Sequence, residues 1–251
     1  MKPEERQAEI RAAVERDGEV SVTDLVTRYH VSGETIRRDL AQLVATGVVQ
    51  KVHGGARRPS VHVENSFDER MSEQATEKAI IARKLAQVIA PGESCFIDTG
   101  TTTLACAKEL AEVPDLVVIT NSARIARAVA RGGKTAQTFL LGGLYAADNV
   151  ETVGPMVLAQ IEQFQADHAI IGVAAMDAGA GALDANADEA AVARAMCARA
   201  QQVVVVAGSG KFTRRAAHRV CSYDEMDVLV TDTPPDEHFR AAIAAAGVTL
   251  C

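Results

Sequence analysis

Four turns in the larger, carboxyl-terminal part of the chain combine glycine, hydroxyl and amide groups in a pattern suited to holding an anion. They are Asp98-Thr99-Gly100-Thr101-Thr102-Thr103, Thr120-Asn121-Ser122, Gly142-Gly143 and Ala207-Gly208-Ser209-Gly210-Lys211-Phe212. Gly100 lets backbone amides approach a ligand. The hydroxyls that follow run into a helix start, where free amides and the helix dipole favour negative charge. Lys211 supplies one cation. Any one of these turns could be an ordinary helix cap. Four of them, each directly after an apolar run, point to a site for a phosphorylated small polar molecule. Its candidate residues are Asp98, Gly100, Thr101, Thr102, Thr103, Thr120, Asn121, Gly142, Gly143 and Lys211. The last turn is not a nucleotide P-loop: the first glycine is missing at its required spacing, and Phe212 stands where Ser or Thr would bind magnesium. The glycines also miss the dinucleotide fingerprint. His168, His218 and His238 have no metal-ligand spacing. No cofactor or metal is expected.

A second chemistry lies in Val31-Ser32-Gly33-Glu34-Thr35-Ile36-Arg37-Arg38-Asp39-Leu40. Ser32 can cap a helix by accepting from an amide two or three residues on. Ile36, Leu40, Leu43 and Val44 fall at i, i+4, i+7 and i+8 and make one buried stripe. Arg37 and Arg38 lie off that stripe and face outward, and Thr35 is near the end where recognition helices touch bases. The candidate DNA-contacting residues here are Ser32, Gly33, Glu34, Thr35, Arg37 and Arg38. Lys51 and His53, shortly after, could reach phosphates or be ordinary solvated residues.

The elements that position these residues follow from periodicity. Helices are expected from about Pro3 to Asp17, from Thr23 (as its cap) to Tyr29, and from the Ser32 cap to about Thr46. Val48 to Ala56 reads as a short hairpin turning at Gly54-Gly55. Three helices and a hairpin make a winged helix-turn-helix. Arg57-Arg58-Pro59-Ser60 breaks the pattern, charged residues follow, and a helix runs from Thr76 to Ile89. From Ser94 onward short apolar runs alternate with helical stretches. The runs are Cys95–Ile97, Leu116–Ile119, Thr138–Leu141, Ala169–Ile171, Val203–Val206 and Val228–Val230. The helical stretches are Thr102–Leu110, Ala123–Arg131, Pro155–Gln163, Asp188–Ala200 and Asp236–Ala245. Continuous apolar strands separated by helices indicate a mostly parallel α/β sheet covered on both faces. Ligands in such sheets collect beyond the carboxyl ends of the strands, where the polar turns fall. The expected organisation is a DNA-binding domain over 1–58, a linker over 59–75 and a sensing domain over 76–251.

Composition narrows the classes. With 251 residues, 48% hydrophobic and 24% charged, the chain can bury a sizeable core. Aromatics at 4% and the absence of Trp exclude a stacking platform for single strands. The net charge of −7 argues against a protein that coats nucleic acid. It is uneven, however: residues 1–58 carry ten Lys/Arg and nine Asp/Glu, and the remainder sixteen and twenty-four. A near-neutral DNA module on an acidic body is compatible with local placement of charge. Cys95, Cys106, Cys197, Cys221 and Cys251 are odd in number and form no CxxC pair, which suits reduced thiols in a cytoplasmic protein. The amino terminus lacks a signal-peptide core, and no apolar run approaches the ~20 residues that span a membrane.

Together these motifs resemble the DeoR family of bacterial transcriptional regulators over nearly the whole chain. The amino-terminal part of the match is Val31-Ser32, Thr35 to Leu40, Leu43, Gly47 and Val52 to Ala56. The remainder is Ile97 to Thr102, Thr120-Asn121-Ser122, Leu141-Gly142-Gly143, Val153-Gly154, Glu189-Ala190, Ser209, Lys211-Phe212 and Thr231-Asp232. The resemblance implies a sensing domain similar to the ribose-5-phosphate isomerase fold. It further implies binding of double-stranded operator DNA, and relief of repression by a sugar phosphate or related metabolite at the turns above. Two positions depart from the pattern. Gly208 stands where the family commonly has Asp, and Leu144-Tyr145-Ala146-Ala147 where it often has a basic residue. One winged helix-turn-helix covers few base pairs, so a homo-oligomer, dimer or tetramer, is expected on repeated half-sites.

The competing reading is a sugar-phosphate isomerase-like enzyme with an accessory DNA module. Isomerisation needs a positioned base, and Asp98 and Glu189 are the available candidates. No nucleophile–base pair stands out. Asp184, Asp188 and Glu189 precede a helix, where complementing its dipole is the preferred reading over binding sugar hydroxyls.

Overall fold

In the computed structural model, residues 1–45, 47–58, 61–62, 64–132 and 135–251 are described. The expected helix end at Thr46 and the break at Pro59-Ser60 lie outside them. The amino-terminal unit runs α1 (Pro3–Asp17), β1 (Glu19–Ser21), α2 (Val22–Tyr29), α3 (Gly33–Ala45), β2 (Gln50–Val52) and β3 (Gly55–Arg57). Ile10, Val14, Leu25, Ile36, Leu40, Leu43, Val49 and Ala56 form its core. The expected stripe on α3 is therefore buried, with Val44 at its margin. The cap of α2 is Ser21 rather than Thr23: Ser21 Oγ accepts from the Asp24 amide at 3.0 Å. Ser21 ends β1 in an extended conformation, which a cap requires. That strand has only three residues, too few to show alternation in the sequence.

β1, β3 and β2 form an antiparallel sheet in that order, and β2–β3 is the wing. The glycine pair divides two tasks. Gly54 takes φ +79° in the turn, whereas a Cβ on Gly55 would lie 2.1 Å from the Val20 carbonyl oxygen, so β3 can pack on β1 only as glycine.

Residues 64–85 hold two helices, α4 (Phe67–Ser72) and α5 (Ala75–Leu85). The first was read only as charged connecting chain. The remainder runs β4 (Ser94–Ile97), α6 (Thr101–Leu110), β5 (Val117–Thr120), α7 (Ala123–Ala130), β6 (Gln137–Leu140), β7 (Leu144–Ala146), β8 (Glu151–Val153), α8 (Pro155–Ile161), β9 (Ala166–Gly172), β10 (Ala175–Asp177), β11 (Gly181–Asp184), α9 (Ala187–Cys197), β12 (Ala200–Val206), β13 (His218–Cys221), β14 (Val228–Val230), α10 (Glu237–Ala245) and β15 (Thr249–Leu250). A 3-10 turn, Ser209–Thr213, follows β12.

Seven strands form one parallel sheet, ordered β15-β14-β12-β9-β4-β5-β6. All six expected runs lie in it, and β15 was not foreseen. Side chains alternate between two buried faces. Cys95, Ile97, Ile170, Val204 and Val206 face the core under α5, α6 and α7. Phe96, Ala169, Ile171, Val203 and Val205 face the core under α8, α9 and α10. Burial on both faces explains why the strands read as unbroken apolar runs. The chain starts at β4, moves outward through β5 and β6, then returns to β9 on the other side of β4 and moves outward again. The β4/β9 boundary is thus the topological switch point, where a crevice opens at the carboxyl ends. Two small antiparallel additions, β7–β8 and β10-β11-β13, overhang that end.

Candidate functional site

The helix of the first candidate surface starts as its residues require. Ser32 Oγ accepts from the Thr35 amide at 3.2 Å. Ser32, Glu34, Arg37, Arg38, Lys51 and His53 are exposed, and Gly33 and Thr35 are half-buried. Arg37 keeps only a loose contact with Glu34, 3.6 Å at the surface. Sequence reasoning missed the device that aims this helix. Asp39, on its inner face, accepts from Arg6 of α1 through Nε at 2.5 Å and Nη2 at 3.2 Å, both side chains being buried. This paired fork ties α3 to α1.

The second site lies at the switch point. Thr101 and Thr102, at the start of α6, form one wall of a small pocket with Gly208, and Arg70, Lys78, Lys211 and Arg214 surround it. Lys211 donates to Glu64 Oε1 at 3.0 Å, and Arg70 meets Glu64 Oε2 at 2.9 Å. Arg214 lies 3.4 Å from Glu73. Lys78 donates to the backbone carbonyls of Arg70 and Glu73. Burial and the neighbouring cations, Lys211 foremost, push its pKa down to about 8, with Glu73 opposing. Ser209, next to Lys211, is held by Asp232 beyond β14, its amide donating at 2.6 Å and its hydroxyl at 2.9 Å.

A wider cavity of about 450 Å³ adjoins this pocket across Arg70 and is lined by Asn149, Glu151, Asp184 and Glu189 among others. A polar chain runs through it. Arg70 donates to Asn149 at 2.8 Å, and Asn149 donates to Glu151 at 3.1 Å and to Glu189 at 3.0 Å. Asn121 donates to the other Glu151 oxygen at 3.1 Å. Burial and the nearby Glu151 and Asp184 carboxylates push Glu189 up to about 9. Asn186 caps α9, accepting from the Asp188 and Glu189 amides. Asp188 is exposed near the helix dipole, but Glu189 turns into the cavity. The acidic cluster therefore divides between the two readings.

The structure gathers some expected residues and separates others. Thr101, Thr102 and Lys211 share the cationic pocket, and Asn121 joins the polar chain. Asp98 is buried behind them. Its Oδ1 accepts from the Gly172 amide at 2.9 Å and braces β4 against β9; burial pushes its carboxyl well above the usual range. A Cβ on Gly100 would meet Thr103 Oγ1 at 2.9 Å, so a larger residue there would have to displace that buried hydroxyl. Three of the expected features lie outside the lining of the pocket and the cavity. Thr103 is fully buried, its hydroxyl donating to the Gly100 carbonyl at 3.1 Å. Thr120 is likewise buried and accepts from the Ser122 amide at 3.1 Å. Gly142-Gly143 follows the edge strand, three strands from β9, and serves packing: Gln160 bonds both sides of Gly142, and a Cβ on Gly143 would clash with Val157 at 2.6 Å. Missed were Arg70, Lys78 and Arg214 of the pocket, and Glu64, Asn149 and Glu151 of the cavity. Their sequence signal was unremarkable charge and, for Asn149, a lone amide, since they reach the site from separate segments.

The two sites have a common wall. A cleft of about 500 Å³ separates the winged helix from the sheet domain, with Arg37 and Lys51 on one side and Glu73, Gln74 and Arg214 on the other. Gly47, just after α3, abuts Thr213 and Arg214. The turn that presents Lys211 therefore also touches the DNA-binding unit.

A winged helix with an outward arginine pair, resting on a parallel sheet whose switch point carries a cation-ringed pocket, defines a DNA-binding protein with an attached sensor. The DeoR-like helix-turn-helix model matches residues 6–61, and the DeoR carboxyl-terminal sensor model matches 73–233. The glycerol-3-phosphate regulon repressor of Escherichia coli K12 is 33% identical over 94% of this chain and 93% of its own. The transcriptional repressor GlcR of Bacillus subtilis is 31% identical over 100% and 96%, respectively. The chain belongs to the DeoR family of transcriptional regulators. Relatives of this similarity are regulators, and the enzyme alternative falls away. A solved D-ribose-5-phosphate isomerase overlaps 59% of this chain and 55% of its own at TM-score 0.40 and 17% identity; the strand order above describes the fold more closely. Among the described residues no helix is long and apolar enough to cross a membrane, no acid, His and Cys cluster suits a metal, and the cysteines are free.

Proposed function

We propose that this chain is a repressor of carbohydrate-catabolism genes that binds double-stranded operator DNA and releases it on binding a phosphorylated sugar or related metabolite. Residues 1–58 bind DNA, 59–75 connect, and 76–251 sense. Ser32, Gly33, Glu34, Thr35, Arg37, Arg38, Lys51 and His53 form the DNA-facing set. The observation that carries the sensing half is the pocket of four cations at the start of α6 beside a polar cavity of about 450 Å³. The charge of the first suits a phosphate, which its volume of about 20 Å³ must widen to admit; the second suits hydroxyls, and its volume suits a metabolite. The names of the relatives, a glycerol-3-phosphate regulon repressor among them, agree with it. Thermal-shift screening against sugar phosphates tests the reading, because a ligand of the native state raises apparent stability. Lys211→Ala and Thr102→Val should bind operator normally yet fail to release it. Release by Lys211→Ala at the wild-type effector concentration would remove Lys211 from the site.

The chain acts as a homo-oligomer through the β6 edge. Apart from Met1, the large hydrophobic side chains that are exposed among the described residues are Phe139, Leu140, Leu144, Tyr145 and Met156. They are 37–72% exposed and lie on β6, β7 and the start of α8. At ~200 Å² for a whole large side chain this leaves roughly 500–600 Å² of apolar area open, most of the ~800 Å² per partner in a standard interface. β6 carries no charge or proline to blunt its edge, and a second copy can satisfy it by two-fold pairing. Leu144→Asp should yield monomers at micromolar concentration by sedimentation; a wild-type monomer with operator DNA present refutes the proposal.

A further inference from the structure

Two cations of the pocket are already paired with an anion of the protein's own, which lines the adjoining cavity. Glu64 lies between β3 and α4, on the connection from the winged helix to the sheet domain. It sends one carboxylate oxygen to Lys211 at 3.0 Å and the other to Arg70 at 2.9 Å. All three side chains are at most 20% exposed. Both cations thus spend their strongest contacts on a group supplied by the connecting segment. Arg70 is itself on α4, and it also bonds the Asn65 carbonyl at 3.1 Å. The chain from Glu64 to Arg70 is folded around this one carboxylate.

Charge identifies what could replace it. The pocket's lining carries Arg70, Lys78, Lys211 and Arg214 against Glu73 and Glu77, and Glu64 of the adjoining cavity pairs with two of those cations, a formal balance of +1. Without Glu64 the balance is +2, which a phosphomonoester, at about −1.5 to −2 near neutral pH, neutralises. A neutral sugar would leave Lys211 and Arg70 without a counter-charge, and a monocarboxylate would replace Glu64 in kind and leave the balance at +1.

We propose that a phosphomonoester enters by exchange: its phosphate takes Lys211 and Arg70 from Glu64, and the freed carboxylate carries the connecting segment away from the sheet domain. The inference rests on the effector-site reading above and adds how the ligand is admitted and how its arrival reaches the DNA-binding unit. Glu64 is a positioning and specificity residue. It makes a weakly charged ligand a poor competitor, because a dianion can take both of its ion pairs and bring one more negative charge to the surrounding cations. Its movement acts on the chain leading back to β3. The loss of Lys211's partner acts through the same 3-10 turn that places Thr213 and Arg214 against Gly47. A ligand can shift the balance between two forms only by preferring one of them, and here the preference is built into which anion holds the cations.

The test uses the full chain and inorganic phosphate as probe. Calorimetric titration compares wild type, Glu64→Gln and Lys211→Ala. Glu64→Gln keeps the shape and removes the competing charge, so it should bind phosphate at least ~10-fold more tightly, the worth of one charge-assisted hydrogen bond. Lys211→Ala should lose binding. Hydrogen exchange of residues 64–72 is the second readout and needs no variant: phosphate should deprotect this segment in the wild type, and Glu64→Gln should show the deprotected pattern without it. Equal phosphate affinity in wild type and Glu64→Gln, or unchanged exchange on adding phosphate, overturns the exchange mechanism even where Lys211→Ala shows that the anion site is real. Wild-type affinity in Lys211→Ala, or no binding to any form at millimolar phosphate, overturns the anion site and the exchange together.

Discussion

Replacing Asp39 by alanine should disable DNA binding without touching DNA. Asp39 and Arg6 are 3% and 5% exposed, and their two bonds are 2.5 and 3.2 Å long. Asp39 Oδ1 also accepts from Gln7 at 3.1 Å. Removing the carboxylate leaves a buried guanidinium unpaired, a change that costs ~3–5 kcal/mol. A unit of this size holds only ~3–9 kcal/mol in total, at ~0.05–0.15 kcal/mol per residue. The winged helix should therefore lose a large part of its stability in Asp39→Ala while the sheet domain, with separate cores, stays intact. Urea titration followed by hydrogen exchange of residues 3–44 isolates the affected unit, and operator titration reads the consequence. Replacing both partners, Arg6→Met with Asp39→Leu, removes the buried charges together and should recover most of the stability, because paired buried ions often do no better than apolar groups of similar volume. A cost below ~1 kcal/mol in Asp39→Ala, or a double variant no better than the single one, would refute the argument that this ion pair anchors α3.

Arg37→Ala and Arg38→Ala should each weaken operator binding. A lost phosphate contact lowers the salt slope by about 1 on every sequence, and a lost guanine contact costs ~1–3 kcal/mol at one base pair. Unchanged binding in both and in the double variant would sink their placement. Lys78 starts with its pKa pushed down to about 8 by burial and the surrounding cations. A bound phosphate should raise it, so binding between pH 8 and 10 takes up a proton, seen as buffer-dependent heat. Lys78→Met should show no uptake, and uptake that persists would reassign the proton. Glu189 is raised to about 9 in the fold, from an ordinary 4.5. Its proton therefore favours the folded state fully below about pH 4.5, and that contribution is lost as pH rises through about 9. Glu189→Gln should flatten the melting temperature against pH between 5 and 9; parallel curves would contradict the assignment.

Local features of this protein were legible in the sequence because their causes are local. The stripe of Ile36, Leu40 and Leu43, the Ser32 cap and the Gly54 turn depend on residues within a few positions of one another. The unbroken apolar runs at Cys95–Ile97 and Val203–Val206 announced strands buried on both faces. Short elements escaped: β1 and β15 have three and two residues, too few for any period to show. Which strand-end turns border the switch point follows only from strand order. Gly142-Gly143 and Asp98-Thr99-Gly100 look alike as strand-end turns, but β9 inserts beside β4 and leaves β6 at the sheet edge, so one turn borders the switch point and the other does not. The hydroxyls of Thr103 and Thr120 face inward because helix and strand rotation decides which hydroxyl meets the crevice. Arg70, Lys78, Lys211 and Arg214 are spread over 145 positions of chain, and as sequence they were only scattered charges. Packing of α4, α5 and the turn after β12 onto one end of the sheet makes them a single cationic pocket. Long-range burial chooses that packing, and nothing in the local spacing of the charges encodes it.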